Sequence, residues 1–225
     1  MKKLNWNNVG FKAKYKSPGS WFMTLFSILN WHALRTHALE QIGWNTSRKM
    51  RSAELNGDPI PWWTYSSIQF IDQFLQENAS VLEIGGGNSS IFWINRGNTV
   101  LTLETNTEWM QKILSHSKNQ PNRHELMHIK DETQDSIRSC ILDRKFDVVV
   151  NDGIGDRTSI AELLLESLRP GGIVVWDNSE RLEYADTISK IKDRGWKELS
   201  FHGLGPINAY ASSTSIFYQG ELRIH

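Results

Sequence analysis

The stretch from Val81 to Ser90 reads VLEIGGGNSS, an apolar run that leads into three consecutive glycines. Such a run, stopped by glycine, predicts a buried strand followed by a tight turn. Glycine adopts backbone conformations that other residues avoid, and its missing Cβ lets a ligand touch the main chain. A helix that begins after the turn would offer free backbone N–H groups to that ligand. The stretch therefore predicts a ligand-binding bend between a strand and a helix.

This bend fits the dinucleotide pattern G-x-G-x-x-G imperfectly, because Ser90 occupies the place of the third glycine. The departure argues against a pyrophosphate-binding site. A purely structural turn is the alternative, so the bend needs support from the rest of the chain.

Outward from the bend, apolar runs alternate with segments of helical spacing. Alternation of this kind predicts an α/β fold with a parallel sheet. No helical segment separates the last two runs, so they should form an antiparallel hairpin. We expect a doubly wound, Rossmann-like sheet of seven strands, mostly parallel, with a C-terminal antiparallel hairpin. Strands are predicted at 81–84, 99–103, 125–129, 146–150, 172–176, 197–202 and 214–218, and helices at 20–43, from 64, 89–95, 107–116, 133–142, 159–168 and 181–194.

The length of 225 residues fits one domain with an extension. We divide the chain into a basic, Trp-rich helical extension, 1–58, and a main domain, 59–225. The single cysteine, Cys140, excludes a disulfide framework within the chain and favours a cytoplasmic protein. The apolar run Trp21–Leu29 is too short to span a membrane, which takes about 20 residues.

The N-terminal arm is strongly basic, since residues 1–51 hold nine lysines and arginines against one acid, a formal charge of +8. It also holds four tryptophans, and aromatic rings beside cations suit an anionic membrane surface. The alternative is a solvated arm whose aromatics cover the main domain or a second subunit of a homo-oligomer. Both interpretations stay open at this stage.

Polar side chains follow several of the predicted strands, and doubly wound sheets bind ligands at that edge. Glu104 ends the second strand, Asp152 follows the fourth, and Asp177 with Asn178 follows the fifth. A carboxylate such as Glu104 can accept hydrogen bonds from both hydroxyls of a ribose. Its alternative role is to stabilise the start of the next helix.

These pieces, in this order and spacing over about 59–220, resemble class I S-adenosylmethionine-dependent methyltransferases. The resemblance implies S-adenosylmethionine as the cofactor and a set of residues that hold it. The residues implied are Glu83, Gly85 and Gly87 for the methionine end, Glu104 for the ribose, the segment 130–132 with Asp131 preferred beside the adenine, and Asp152 facing the methyl group.

Two further stretches, PIPWWTY at 59–65 and HGLGPINAY at 202–210, resemble a smaller group of such enzymes, often associated with polysaccharide and secondary-metabolite clusters. That similarity implies O-methylation of a small molecule or a sugar unit, hence a small-molecule or glycan acceptor. Trp62 and Tyr65 are candidates for the wall of the cofactor pocket, where aromatic rings could stack on adenine or attract the sulfonium.

Methyl transfer to a hydroxyl also needs a group that removes the proton. Asp152, Asp177 and His202 are the candidate catalytic residues. Asp152, Asp177 and Asn178 also form an oxygen set that suits Mg²⁺. This set resembles that of catechol O-methyltransferase and its cation-dependent relatives, although the GIGDR segment after Asp152 lacks their lysine base. The alternative is that Asp152 orders the cofactor while Asp177 and Asn178 cap the following helix.

Other functions fit less well. A nicotinamide-dependent oxidoreductase could use Glu104, but Ser90 and the absence of a Tyr-x-x-x-Lys dyad argue against it. A non-catalytic cofactor-binding module of the same fold is a further alternative. We expect no nucleic-acid substrate, because NDGI at 151–154 replaces the Asn/Asp-Pro-Pro-Tyr type of motif.

Overall fold

The central feature of the computed structural model is a seven-stranded sheet, and the structure describes residues 23–74, 77–118 and 122–221. The predicted fold class is confirmed. In the described part of the chain the strands of this sheet are β1 (Ser80–Ile84), β2 (Thr99–Glu104), β3 (His124–His128), β4 (Phe146–Asn151), β5 (Leu168–Asp177), β6 (Lys197–Leu204) and β7 (Ala211–Tyr218).

Along the sheet the strands lie in the order β3-β2-β1-β4-β5-β7-β6. The first five pair in parallel, and β7 pairs antiparallel with both β5 and β6. The chain moves outward from β1 to β3 and then returns to place β4 on the other side of β1. This reversal opens a crevice at the carboxyl ends of β1 and β4, the position where such sheets bind ligands.

The helices lie on both faces of the sheet and largely match the predicted ones. The long N-terminal helix is α1 (Met23–Ala33), which continues as a π-helical segment, Leu34–Leu39, and Gly43 ends it with a φ of 76°. The predicted helix at 181–194 is divided into a 3₁₀ turn, Leu182–Tyr184, and an α-helix that begins at Ala185. The remaining helices are α2 (Trp44–Met50), α3 (Tyr65–Phe74), α4 (Asn88–Asn95), α5 (Thr107–Ser117), α6 (Gln134–Ile141), α7 (Ala161–Glu166) and α8 (Ala185–Asp193).

Two apolar clusters cover the two faces of the sheet. In β1, Val81 belongs to one cluster and Leu82 to the other, and both side chains are fully buried. This explains why the strand reads as a continuous apolar run, since a parallel strand is buried on both faces.

Residues 53–55, together with Trp44, pack into the core of the main domain. Glu54–Leu55 pairs antiparallel with Asp58–Pro59 in a short ribbon. Leu55 is fully buried among residues of α3, α4 and the sheet. The indole N–H of Trp44 donates a 2.7 Å hydrogen bond to the Asn208 carbonyl oxygen. The predicted boundary between 58 and 59 therefore falls inside a ribbon whose two strands share one core.

Three apolar side chains in the second half of α1 face solvent. Ile28, Leu29 and Trp31 are each more than half exposed. Among the helices of the described residues, none combines the length and apolarity needed to cross a bilayer. Residues 1–22, with five of the nine basic residues of the arm, lie outside the described residues, so the membrane contact stays a prediction.

We expect Leu55→Ala to lower the free energy of unfolding by about 2–5 kcal/mol, because it leaves a cavity at a fully buried position. Urea unfolding measures this change. Leu182→Ala is the matched control, since Leu182 is 91% exposed and surface substitutions stay within about 0.5 kcal/mol. Equal stabilities of the two variants would mean that the ribbon is not part of the core.

Candidate active site

A cavity of about 410 Å³ opens at the carboxyl edge of the sheet. Residues that follow β1, β2, β4 and β5 line it, as the strand order requires. Seven of the residues singled out from the sequence are in its wall: Trp62, Gly85, Gly87, Glu104, Asp152, Asp177 and Asn178.

The glycine bend forms one wall of this cavity. Gly85 has a φ of 83°, and a Cβ there would lie 2.8 Å from the Asp152 carbonyl oxygen. A Cβ on Gly86 would lie 2.6 Å from the Thr102 methyl group. Around Gly87 the nearest atoms to such a Cβ are ring atoms of Trp109, at 3.8 Å. The fold therefore needs the first two glycines, whereas a Cβ on Gly87 would make only an ordinary van der Waals contact with Trp109.

Glu104 fixes the bend from the neighbouring strand. Its Oε2 accepts a 2.6 Å hydrogen bond from the Gly86 N–H, and its Oε1 accepts one of 2.6 Å from the Asn106 N–H. The Thr105 hydroxyl donates a long, 3.5 Å hydrogen bond to Oε1 as well, whereas Oε2 can accept a second hydrogen bond. Glu104 therefore orders the bend and the start of α5 while it keeps acceptor capacity for a ligand in the cavity.

Glu83 lies behind the bend, outside the lining of the cavity. Its Oε2 accepts hydrogen bonds from the hydroxyls of Ser90 and Thr102, the latter at 3.3 Å. The Ser90 hydroxyl in turn accepts a 3.1 Å hydrogen bond from the Gly87 N–H. Burial raises the pKa of Glu83 to about 7. The residue implied for the methionine end thus reaches the cavity only through Ser90 and the main chain of Gly87.

At the floor of the cavity, Arg157 joins the ends of β4 and β5. Its Nη2 donates to Asp152 Oδ1 at 2.9 Å, and its Nη1 donates to the Asp177 carbonyl oxygen at 2.5 Å. The other Asp152 oxygen, Oδ2, accepts a 3.0 Å hydrogen bond from the Trp63 indole N–H. The Thr214 hydroxyl donates to Asp177 Oδ1 at 2.6 Å.

Both carboxyl groups hold their protons more tightly than usual. Loss of contact with water raises the pKa of Asp152, although the Arg157 charge opposes the shift. The pKa of Asp177 is raised well above its ordinary value, first by burial and then by the negative charge of Asp152. A carboxylate with a raised pKa is a stronger base near neutral pH.

The oxygen set predicted for Mg²⁺ does not fit a divalent ion. Both Asp152 oxygens accept hydrogen bonds from protein donors, and Asn178 Oδ1 accepts one of 2.9 Å from Arg181. The guanidinium of Arg157 already supplies the positive charge between the two strand ends.

Three other predicted residues lie away from the lining of the cavity. His202 is on β6, an edge strand, and β7 lies between it and β5; its ring nitrogen Nδ1 is 3.0 Å from the Ser213 hydroxyl. Tyr65 begins α3 and is buried. Asp131 is half-buried, and it accepts a 2.7 Å hydrogen bond from the hydroxyl of Thr133, the N-cap of α6.

The neighbour of Asp131, Glu132, faces the cavity instead. It is buried, and its oxygens accept hydrogen bonds from the N–H groups of Ile154, at 3.2 Å, and Gly155, at 2.8 Å. The adenine prediction named the segment 130–132 and preferred Asp131, so the structure places the adjacent acid at the wall. A loop of this kind has no periodicity that would show which acid turns inward.

Sequence reasoning missed the contribution of the N-terminal segment to the cavity. Arg51, Ser52 and Ala53 form part of its wall. The Asn88 side-chain amide at the start of α4 donates a 2.6 Å hydrogen bond to the Ala53 carbonyl oxygen. The polar composition of residues 45–58 indicated only a loop. The position of this segment over the glycine bend depends on the long-range contact between Asn88 and Ala53.

Comparison with solved structures relates this sheet to known proteins. A methyltransferase from Pyrococcus furiosus superimposes with a TM-score of 0.57 at 16% identity, over 81% of this chain and 100% of that one. An O-methyltransferase from Bacillus cereus, in complex with SAH, gives 0.51 at 19% identity, over 63% and 74%. Precorrin-6y C5,15-methyltransferase from Geobacter metallireducens gives 0.51 at 14% identity, over 65% and 82%.

The chain has the fold of these methyltransferases. No protein-family model matches it, and no curated protein does. The similarity is one of architecture, and the chemistry must be argued from the cavity itself.

Glu83→Gln should flatten the dependence of stability on pH. An acid whose folded pKa is raised stabilises the fold below its unfolded pKa, and this contribution is lost as pH rises through the folded value. For Glu83 the window runs from 4.5 to about 7, and the loss amounts to about 3 kcal/mol. Asp152 and Asp177 keep their own pH dependence in the variant.

Urea unfolding of both proteins at about pH 5 and about pH 8 measures this difference across the window. Glu108→Gln removes an exposed carboxylate on α5 and should keep the wild-type profile. A Glu83→Gln profile as steep as that of the wild type would contradict the raised pKa.

Proposed function

We propose that this chain is an S-adenosylmethionine-dependent methyltransferase that methylates an oxygen atom of a small molecule or a sugar unit. One observation carries the proposal above all others. The Glu104 carboxylate holds the glycine bend through the Gly86 N–H and keeps acceptor capacity beside the cavity. Such a group suits the two hydroxyls of a ribose.

The rest of the cavity fits the other parts of this cofactor. The main chain of Gly87 and the start of α4 offer N–H groups to the methionine end, under the segment 51–53. Glu132 and Ile154 lie where an adenine would follow the ribose. In this arrangement the methyl group points toward Asp152, next to the exposed face of Trp62.

Transfer from a sulfonium is an in-line displacement, so the protein must align donor and acceptor and exclude water. A hydroxyl acceptor must also lose its proton. Of the predicted candidates, Asp152 and Asp177 line the cavity, and Asp177 has the more strongly raised pKa. We assign the role of base to Asp177, and we assign none to His202, which lies outside the cavity wall.

Binding of S-adenosylhomocysteine (SAH), the demethylated product, tests the cofactor assignment. A ligand at about 100 times its Kd stabilises the native state by about 2.7 kcal/mol, which raises Tm by roughly 5–10 °C for a chain of this size. We expect this shift with SAH and none with NAD. Stabilisation by NAD alone would indicate an oxidoreductase, and no shift with either would end the proposal.

Glu104→Gln should weaken SAH binding by about 10- to 100-fold, because hydrogen bonds to a charged group contribute about 1.5–3 kcal/mol each. Calorimetric titration measures the affinity. Asp131→Asn is the matched control, since it changes an acid outside the cavity wall and should bind SAH like the wild type. Equal affinities of the two variants would contradict the ribose assignment.

Turnover separates an enzyme from a non-catalytic module. The full chain is incubated with tritiated S-adenosylmethionine and a panel of sugars and small hydroxyl compounds. We expect methyl transfer to at least one of them, and transfer that Asp177→Asn abolishes. A chain that binds SAH but transfers nothing, even to cell extracts, would be a binding module of this fold.

A further inference from the structure

The buried guanidinium of Arg157 occupies the gap between the ends of β4 and β5. The residue is 5% exposed and still contributes to the cavity wall. Three of its donors have partners: Nε reaches the Gly153 carbonyl oxygen at 2.7 Å, and the two Nη atoms reach the Asp177 carbonyl oxygen and Asp152 Oδ1. A guanidinium carries five N–H groups, so it keeps two for a molecule in the cavity.

The surrounding chain holds this charge firmly in place. The Asn151 side-chain amide donates a 3.2 Å hydrogen bond to the Arg157 carbonyl oxygen, which fixes the backbone of the residue. The carboxylate of Asp152 is fixed on its other side by the Trp63 indole. A buried charge is tolerated only when it is paired and hydrogen-bonded in this way. The cation is therefore a permanent part of the site.

A divalent ion would meet the Arg157 guanidinium between the ends of β4 and β5. The guanidinium pairs with Asp152 at 2.9 Å, and repulsion between like charges is strong at such short range. The Arg157 charge therefore opposes binding of a divalent ion to Asp152, Asp177 and Asn178.

We propose that Arg157 supplies from within the chain the positive charge that the sequence pattern assigned to Mg²⁺, and that it orients the acceptor oxygen for methyl transfer without a divalent metal. The inference rests on the proposed methyl transfer to oxygen. In the reaction the acceptor O–H proton passes to the Asp177 carboxylate and the oxygen forms the new O–CH₃ bond. The C–S bond breaks with its electron pair going to sulfur, and the guanidinium stays protonated throughout.

Calorimetric titration of Mg²⁺ and Mn²⁺ into the full chain, with and without SAH, tests the metal part directly. We expect no saturable heat with the wild type and the same SAH affinity in buffer with or without EDTA. Saturable metal binding by the wild type that Asp152→Asn removes would overturn the inference. Failure of SAH binding would instead end the proposed function, so the two failures are distinguishable.

Removal of the cation should create the metal site that the wild type lacks. We expect Arg157→Ala to bind Mn²⁺ saturably, because the Asp152 carboxylate loses its cation beside Asp177. Arg169→Ala is the matched control: it removes an arginine that pairs with an aspartate, Asp147, at 2.7 Å, outside the cavity wall. A folded Arg157→Ala variant without Mn²⁺ binding would contradict the proposal.

Arg157→Lys tests the role of Arg157 if the alanine variant fails to fold. Lysine keeps the charge but loses the planar fork that spans the two strand ends. We expect this variant to bind SAH and no metal. With an acceptor identified in the turnover experiment, we expect its kcat to be at least 10-fold lower than that of the wild type, while its KM for S-adenosylmethionine stays nearly unchanged. A wild-type turnover rate that falls in excess EDTA and recovers with Mg²⁺ would refute a metal-free mechanism.

Discussion

Two loops, one after β1 and the other after β4, are in direct backbone contact at the carboxyl edge of the sheet. The position of a Cβ on Gly85 is 2.8 Å from both the Asp152 carbonyl oxygen and the Gly153 Cα. This close approach sets the depth of the cavity, because it fixes where the glycine bend and Asp152 lie relative to each other. Glu104 then approaches from β2 and bonds the Gly86 N–H.

Charge is arranged in two layers around this contact. Glu104, Asp152 and Arg157 face the cavity, whereas Glu83 lies behind the bend and acts through the Ser90 hydroxyl. The outer layer can contact a ligand directly, and the inner one sets the geometry of the loop. Because the Glu83 carboxyl in the inner layer has a pKa of about 7, the stability of the fold should depend on pH up to neutrality.

The N-terminal segment belongs to the same architecture. Its chain passes from the exposed face of α1 through Gly43 to the wall residues 51–53, and then enters the core at Leu55. A ligand at the glycine bend would therefore contact both halves of the predicted division. Its binding energy should be coupled to the packing of α2 and the ribbon, since Asn88 joins them to the start of α4.

Several predictions succeeded because they depend on local pattern. Three kinds of feature can be recognised within a few residues of sequence: glycines at turns, apolar strands buried on two faces, and acids directly after strands. Glu104 and Asp152 could be placed at the ligand edge for this reason. The helix ends and the loop at 130–132 were less certain, since no periodicity specifies which side chain turns inward there.

The sequence by itself determined the alternation of strands and helices, the glycine bend and the acids at the carboxyl edge. Only the tertiary structure decided which of those groups share the cavity. It inserted β7 between β5 and β6 and so kept His202 away, it turned Glu132 inward in place of Asp131, and it set Arg157 where a metal was expected. The physical reason is that these outcomes depend on contacts between distant strand ends, for which a local pattern carries no information.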